Sequence, residues 1–196
     1  TNQVNNVTTN LDGCHGIAIS PDGRNIYIAA SNGQLVHYDR NTVSGVLTNQ
    51  VNLIDSQYAG SRGVAVSPNG ANVYMVCLST DKLFSFDRNS ATGALSNRFM
   101  VASDSTNLNG ARDVIVSPDS LSVYVVSQGA DSLVSFDRNP LSGSLSNQFN
   151  LIDTTNLNGA YGIVVPPDGK NIYVSSNAGN KIVSFDRHVS PFSSTC

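Results

Sequence analysis

Four residues of this 196-residue chain stand where chemistry could be done: His15, Arg62, Arg112 and Tyr161. They fall at one position of four aligned segments, and the next position reads Gly16, Gly63, Asp113 and Gly162. A position that serves only a scaffold tends to carry the same residue in every copy, whereas this one varies and is chemically rich. Two guanidinium forks, an imidazole and a phenol can hold a carboxylate or sugar hydroxyls. His15 and Asp113 are the two groups there that could act as a general base. His15, Arg62, Arg112, Asp113 and Tyr161 are therefore the candidate ligand-binding residues, and none is assigned as catalytic. A structural reading competes: Arg112, Asp113 and their neighbours could neutralise one another over a plugged channel.

The elements that position these residues come from an internal repeat. The segments Gly16-Ile-Ala-Ile-Ser-Pro-Asp-Gly23, Gly63-Val-Ala-Val-Ser-Pro-Asn-Gly70, Asp113-Val-Ile-Val-Ser-Pro-Asp-Ser120 and Gly162-Ile-Val-Val-Pro-Pro-Asp-Gly169 start at 16, 63, 113 and 162, intervals of 47, 50 and 49 residues. Each is followed by a run centred on Tyr27, Tyr74, Tyr124 or Tyr173, then by Asp39-Arg40, Asp87-Arg88, Asp137-Arg138 or Asp186-Arg187. Proline cannot sit inside a central strand, so Pro21, Pro68, Pro118 and Pro167 end an apolar inner strand and open a tight turn. The Tyr run is a second strand. The run before Asp-Arg is a third, and a polar segment such as Asn147–Asp153 is an outer fourth. Four strands per ~50-residue repeat, in series, predict an all-β fold: a four-bladed β-propeller of four-stranded antiparallel blades. The Asp-Arg pairs read as braces between blades and the tyrosines as core or inter-blade packing.

The termini bear on closure. Thr1-Asn-Gln-Val-Asn5 repeats Thr48-Asn-Gln-Val-Asn52, an outer strand, while the fourth repeat stops after its third. The chain thus divides as 1–9, outer strand of blade 4; 16–56, blade 1; 63–105, blade 2; 113–154, blade 3; 162–187, the inner three strands of blade 4; and 188–196, a tail. Pairing the two ends closes the last blade with the N-terminal strand and removes two exposed edges. A closed monomer is expected because local closure costs less entropy than assembly; the alternative is a head-to-tail dimer forming an eight-bladed ring.

The pattern G-[IV]-A-[IV]-S-P-[DN]-G-x-N-[IV]-Y, then F-D-R-N, then G-x-L, resembles the YVTN/lactonase-type propeller repeat. The likeness covers all four repeats. The same repeats occur in the lactonase and carboxymuconate-cyclase superfamily, whose enzymes usually have seven blades. The resemblance implies a propeller, and lactonase or cycloisomerase activity as one possible use of it.

The remaining sequence narrows the function. Lys and Arg number 11 against 14 acidic residues, all Asp, for a net charge of −3; no basic patch suits nucleic acid. There is no apolar run long enough to span a membrane. No cofactor and no metal are expected, since no Gly-rich phosphate loop, His/Cys zinc spacing or Gly-x-Ser-x-Gly elbow appears. Three cysteines are present: Cys77, in an apolar run, reads as a buried thiol, and Cys14 and Cys196 could pair. A Lys-poor, Asn/Ser/Thr-rich composition and the Asn6-Val7-Thr8 sequon lean towards a secreted protein. The residues favour a non-catalytic binding or interaction module for a small polar or anionic ligand, or for a protein partner. The alternatives are a lactonase/cycloisomerase-like enzyme and a carbohydrate-binding propeller.

Overall fold

The structure, a computed structural model, describes residues 11–187. These form fifteen strands in four antiparallel sheets. Blade 1 comprises β1 (Cys14–Ile19), β2 (Asn25–Ala30), β3 (Asn32–Arg40) and β4 (Leu47–Ala59). Blade 2 comprises β5 (Ser61–Val66), β6 (Asn72–Cys77), β7 (Lys82–Arg88) and β8 (Leu95–Ser103). Blade 3 comprises β9 (Ala111–Val116), β10 (Ser122–Ser127), β11 (Ser132–Arg138) and β12 (Leu145–Ile152). Blade 4 comprises β13 (Ala160–Val164), β14 (Asn171–Ser176) and β15 (Lys181–Asp186). Strands run in sequence order from the axis outwards, the four-bladed propeller arrangement that the repeat predicts. The opening strand at 1–9, the tail at 188–196 and with it Cys196 lie outside the described residues.

Blades 1, 2 and 3 are built by the same local chemistry at the turn that follows the inner strand, where blade 4 has Pro166 in place of the serine. The serine before proline holds the turn after the inner strand: Ser20 Oγ accepts from the Asn25 amide at 3.0 Å, and Ser67 and Ser117 do the same for Asn72 and Ser122. The register then repeats, with Tyr27, Tyr74, Tyr124 and Tyr173 opposite Ala18, Ala65, Ile115 and Val164. Because side chains alternate across a strand, each blade turns one set towards the blade before and another towards the blade after.

The cores lie between blades. Tyr27, Ala29 and Leu35 of blade 1 pack on Val64, Met75, Phe84 and Phe86 of blade 2. Equivalent clusters join blades 2 and 3 and blades 3 and 4. Polar braces cross the same junctions. Arg88 Nε donates to Tyr27 Oη at 2.8 Å, Arg138 Nε to Tyr74 Oη at 2.8 Å and Arg187 Nε to Tyr124 Oη at 2.9 Å. The tyrosine hydroxyls of blades 1 and 2 in turn donate to the Gly93 and Gly143 carbonyls of the following blade. In the Asp-Arg pairs of blades 2, 3 and 4, only the arginine crosses. The aspartates stay home: Asp39 and Asp87 accept from Asn25 and Asn49, and from Asn72 and Asn97.

The far side of blade 4 differs. Tyr173, Val164 and Ile182 are 39%, 58% and 76% exposed, whereas Tyr27 and Tyr74 at the first of these positions are fully buried. Among the described residues, no buried cluster joins blade 4 to blade 1, so the closed ring of the monomer reading is not formed by these residues.

Candidate functional site

The inner strand of every blade carries a β-bulge at its first turn. In β1 the pairing with β2 skips from Cys14 to Gly16, in β9 from Ala111 to Asp113 with β10, and in β13 from Ala160 to Gly162 with β14; in β5 it skips from Ser61 to Val64. The residues left unpaired include His15, Arg62, Arg112 and Tyr161. A bulge re-aims the side chain it carries, and here it turns four different side chains to one place. The sequence showed the variable column but not the device that presents it.

The glycines beside the bulges let the inner strands approach. A Cβ on Gly16 would collide with the Arg62 carbonyl oxygen, and one on Gly63 would lie 2.8 Å from the Asp113 Cα. At Gly162 the approach is less close, the nearest such neighbour being Ser175 Oγ at 3.3 Å.

All five candidate residues line one cavity of about 270 Å³ at the axial end of the inner strands. Arg62 Nη1 lies against both ring nitrogens of exposed His15, 2.6 Å from Nδ1. The Arg112 guanidinium stacks on Tyr161, with its Cζ 3.9 Å from the ring centroid. Partial desolvation, then the charges of Arg62 and Arg112, hold the His15 imidazole below its ordinary range, which favours the neutral ring. Burial and the neighbouring Arg112 charge likewise pull Arg62 down.

Asp113 does not neutralise the arginines. Its Oδ1 accepts from the Val114 amide at 2.9 Å and its Oδ2 from the Ile163 amide at 3.1 Å, bridging blades 3 and 4. Burial pushes its carboxyl up, against those two hydrogen bonds. Among the described residues neither Arg62 nor Arg112 forms an ion pair with a carboxylate, so the plugged, self-neutralised channel is not what the residues build. Arg62 Nε is buried without a hydrogen-bond partner, and such an orphaned donor is costly unless a ligand fills it. No cluster of three or more metal-ligating side chains occurs among the described residues.

The chain was compared with known proteins. The model of the family "Lactonase, 7-bladed beta-propeller" matches residues 63–191. No curated protein matches. Solved structures do. A protein assigned as a 6-phosphogluconolactonase from Bacteroides fragilis has 21% identity and a TM-score of 0.76, covering 89% of this chain and 51% of its own. Its counterpart from Bacteroides uniformis has 20% identity and a TM-score of 0.72, covering 89% and 50%. The periplasmic gluconolactonase of Pseudomonas aeruginosa has 15% identity and a TM-score of 0.71, covering 90% and 54%. This chain spans about half the length of each.

These findings overturn the expectation of a non-catalytic binding or interaction module and favour the lactonase-like alternative. The site accommodates that alternative, since a neutral imidazole can serve as a general base. The match extends over two-thirds of the chain and across blades 2, 3 and 4, and on that ground the chain belongs to the seven-bladed β-propeller lactonase family.

Proposed function

We propose that the cavity at the bulged ends of the inner strands binds and hydrolyses a lactone bearing an anionic group, of the phosphorylated or acidic sugar type. The observation that carries this reading is two guanidiniums with no carboxylate partner, facing one cavity beside a neutral imidazole. Arginine's rigid fork suits carboxylate and phosphate, and the buried, unpartnered Arg62 Nε adds a donor that such an anion can use. The lactonase structures that share the fold support the choice of a cyclic ester. The four copies are read as YVTN-type repeats on the Ser-Pro-Asp/Asn turn and the Tyr strand that follows it.

Each residue has its own part in the reaction. The substrate anion draws Arg62 away from the imidazole, which frees a nitrogen lone pair of His15. That nitrogen takes a proton from water as the water oxygen attacks the lactone carbonyl. Arg112, held flat against Tyr161, stabilises the negative charge that develops on the carbonyl oxygen. The ring C–O bond then breaks, and the departing alkoxide recovers the proton from His15, giving the open hydroxy acid. Asp113, committed to two backbone amides, keeps the junction of blades 3 and 4 in place beneath the site.

The test is hydrolysis of glucono-δ-lactone and 6-phosphoglucono-δ-lactone in a pH-stat, with the spontaneous rate subtracted. Saturable turnover is expected. His15→Gln should lower kcat about a hundredfold or more, and Arg62→Ala should raise KM chiefly for the phosphorylated substrate. Rates equal to the spontaneous reaction with both lactones, or an unchanged kcat in His15→Gln, would overturn the reading.

A further inference from the structure

We propose, on the lactonase reading of the cavity, that Ser175 is a positioning residue: with Asp113 it fixes the bulge that carries Tyr161, and through Tyr161 the guanidinium of Arg112. Ser175 itself stands behind the cavity lining rather than in it.

The four bulges are not held in the same way. Where blades 1 and 2 meet, and again blades 2 and 3, a glycine lets one inner strand lie against the backbone of the next: Gly16 against the Arg62 carbonyl, and Gly63 against the Asp113 Cα. Backbone contact sets those positions. Between blades 3 and 4 the corresponding residue is Asp113, and its carboxylate occupies the place that backbone takes at the other two junctions. Asp113 Oδ2 accepts from the Ile163 amide at 3.1 Å, and a Cβ on Gly162 would lie 3.9 Å from the same oxygen. The start of β13 must therefore be placed by side chains.

Two side chains do so, on consecutive amides. Asp113 takes the Ile163 N–H. Ser175 takes the Gly162 N–H: its Oγ accepts there at 3.0 Å and donates to the Gly162 carbonyl at 3.4 Å. Gly162 has no side chain to restrict its backbone. It directly follows Tyr161, so the hydroxyl that holds both of its polar groups decides where the Tyr161 ring is aimed. Arg112 Cζ stands 3.9 Å from the centroid of that ring, and Arg112 is the group that faces the developing oxyanion. A chain of contacts thus runs from Ser175 through Gly162 and Tyr161 to the donor that the reaction uses.

The hydroxyl is particular to this blade. β14 carries Ser175 opposite Gly162, where β2 carries Ala29 opposite Gly16 and β10 carries Val126 opposite Asp113. The aligned residue of β6 is Val76. None of these three has a polar side-chain atom. Blades 2 and 3 are built with valine at this place, so the hydroxyl is not a requirement of the fold.

The experiment compares Ser175→Thr with Ser175→Val, two β-branched side chains of like size, one with a hydroxyl and one without. Circular dichroism checks that both fold; should Ser175→Val fail to, Ser175→Ala repeats the comparison without the branch. Hydrolysis of 6-phosphoglucono-δ-lactone is measured beside amide hydrogen exchange at Gly162. Ser175→Thr should keep kcat within about threefold of wild type, whereas Ser175→Val should lower it about tenfold with KM changed by less than about twofold, because a misaimed oxyanion donor weakens the transition state and not substrate binding. The acid limb of the pH profile, which belongs to His15, should stay where it is. The Gly162 amide should exchange faster in Ser175→Val and not in Ser175→Thr. Equal kcat in the two variants, with wild-type turnover intact, would overturn this inference and leave the lactonase reading standing. So would a rise in KM in place of the loss in kcat, or equal exchange at Gly162. Wild-type rates no faster than the spontaneous reaction would overturn both.

Discussion

Replacing Arg138 by Met isolates the contribution of one inter-blade brace. Arg138 is fully buried, yet no carboxylate meets it, since the turn residue of blade 2 is Asn69 where blades 1 and 3 have Asp22 and Asp119. Its charge is held by the Tyr74 hydroxyl at 2.8 Å, the Asn72 Oδ1 at 2.7 Å and the Ser120 carbonyl at 3.0 Å. Met keeps most of the stem in place and removes the guanidinium. Two acceptors, Asn72 Oδ1 and the Ser120 carbonyl, then lose a buried donor, at about 1–3 kcal/mol each. Relief of the buried charge offsets part of this, leaving a loss of about 3 kcal/mol. For a domain of this size that lowers Tm by roughly 6–12 °C. Urea unfolding followed by circular dichroism reads the change in midpoint and, through the slope, whether the chain has begun to unfold in two halves. Tyr74→Phe completes a double-mutant cycle, because its hydroxyl both receives from Arg138 and donates to the Gly143 carbonyl at 2.6 Å. A coupling of about 1 kcal/mol is expected. A loss below about 1 kcal/mol for Arg138→Met, or strict additivity with Tyr74→Phe, would refute the view that the arginine ties the two blades.

Two further outcomes follow from buried titratable groups. Burial holds the imidazole of His37 below its ordinary range, although Asp39 Oδ1 at 3.4 Å works the other way; Asn25 Nδ2, 3.2 Å from Nε2, needs that nitrogen unprotonated, so the neutral ring is the folded form. A depressed imidazole stabilises the fold fully above about 6.5 and loses that contribution as pH falls. Stability should therefore decline as pH falls below about 6.5, with a slope of up to about 1.4 kcal/mol per pH unit, and His37→Asn should flatten it; a wild-type profile that stays flat below that pH would contradict the assignment. Burial also pushes the Cys77 thiol up to about 11 and leaves no surface exposed. A thiol reagent at neutral pH should label exposed Cys14 in the folded protein and Cys77 only after unfolding, and native labelling of Cys77 would show that the junction of blades 1 and 2 opens readily.

Much of this was legible in the residues. The Ser-Pro turn and the Tyr strand announce a blade because each has one conformational use. The column of His15, Arg62, Arg112 and Tyr161 announces a shared place because it breaks an otherwise uniform repeat. What stayed hidden was pairing. Asp39-Arg40 and its copies look like single braces, but sequence adjacency puts the two side chains on opposite faces of a strand, so one faces the neighbouring blade and the other its own. Asp113 looked like a counter-ion for Arg112 for the same reason of adjacency, while its carboxylate serves the amides of Val114 and Ile163. The bulges were illegible because the extra residue shows only when two strands are set side by side. The lean towards a module failed because the repeat shows where His15 stands but not that the chain belongs with the lactonases.

The brace between blades always points the same way, from a later arginine to an earlier tyrosine. A ribosome delivers the chain in that order. The receptacles that Arg88, Arg138 and Arg187 fill are therefore finished before those cations emerge, and none of the three has to wait for a partner not yet made. The group left over at the growing end is a tyrosine hydroxyl that water can satisfy. Had the polarity been reversed, every intermediate would end on a cation whose receptacle had not yet been made. The one-way joint thus lets the length of the array vary without redesigning any junction within it.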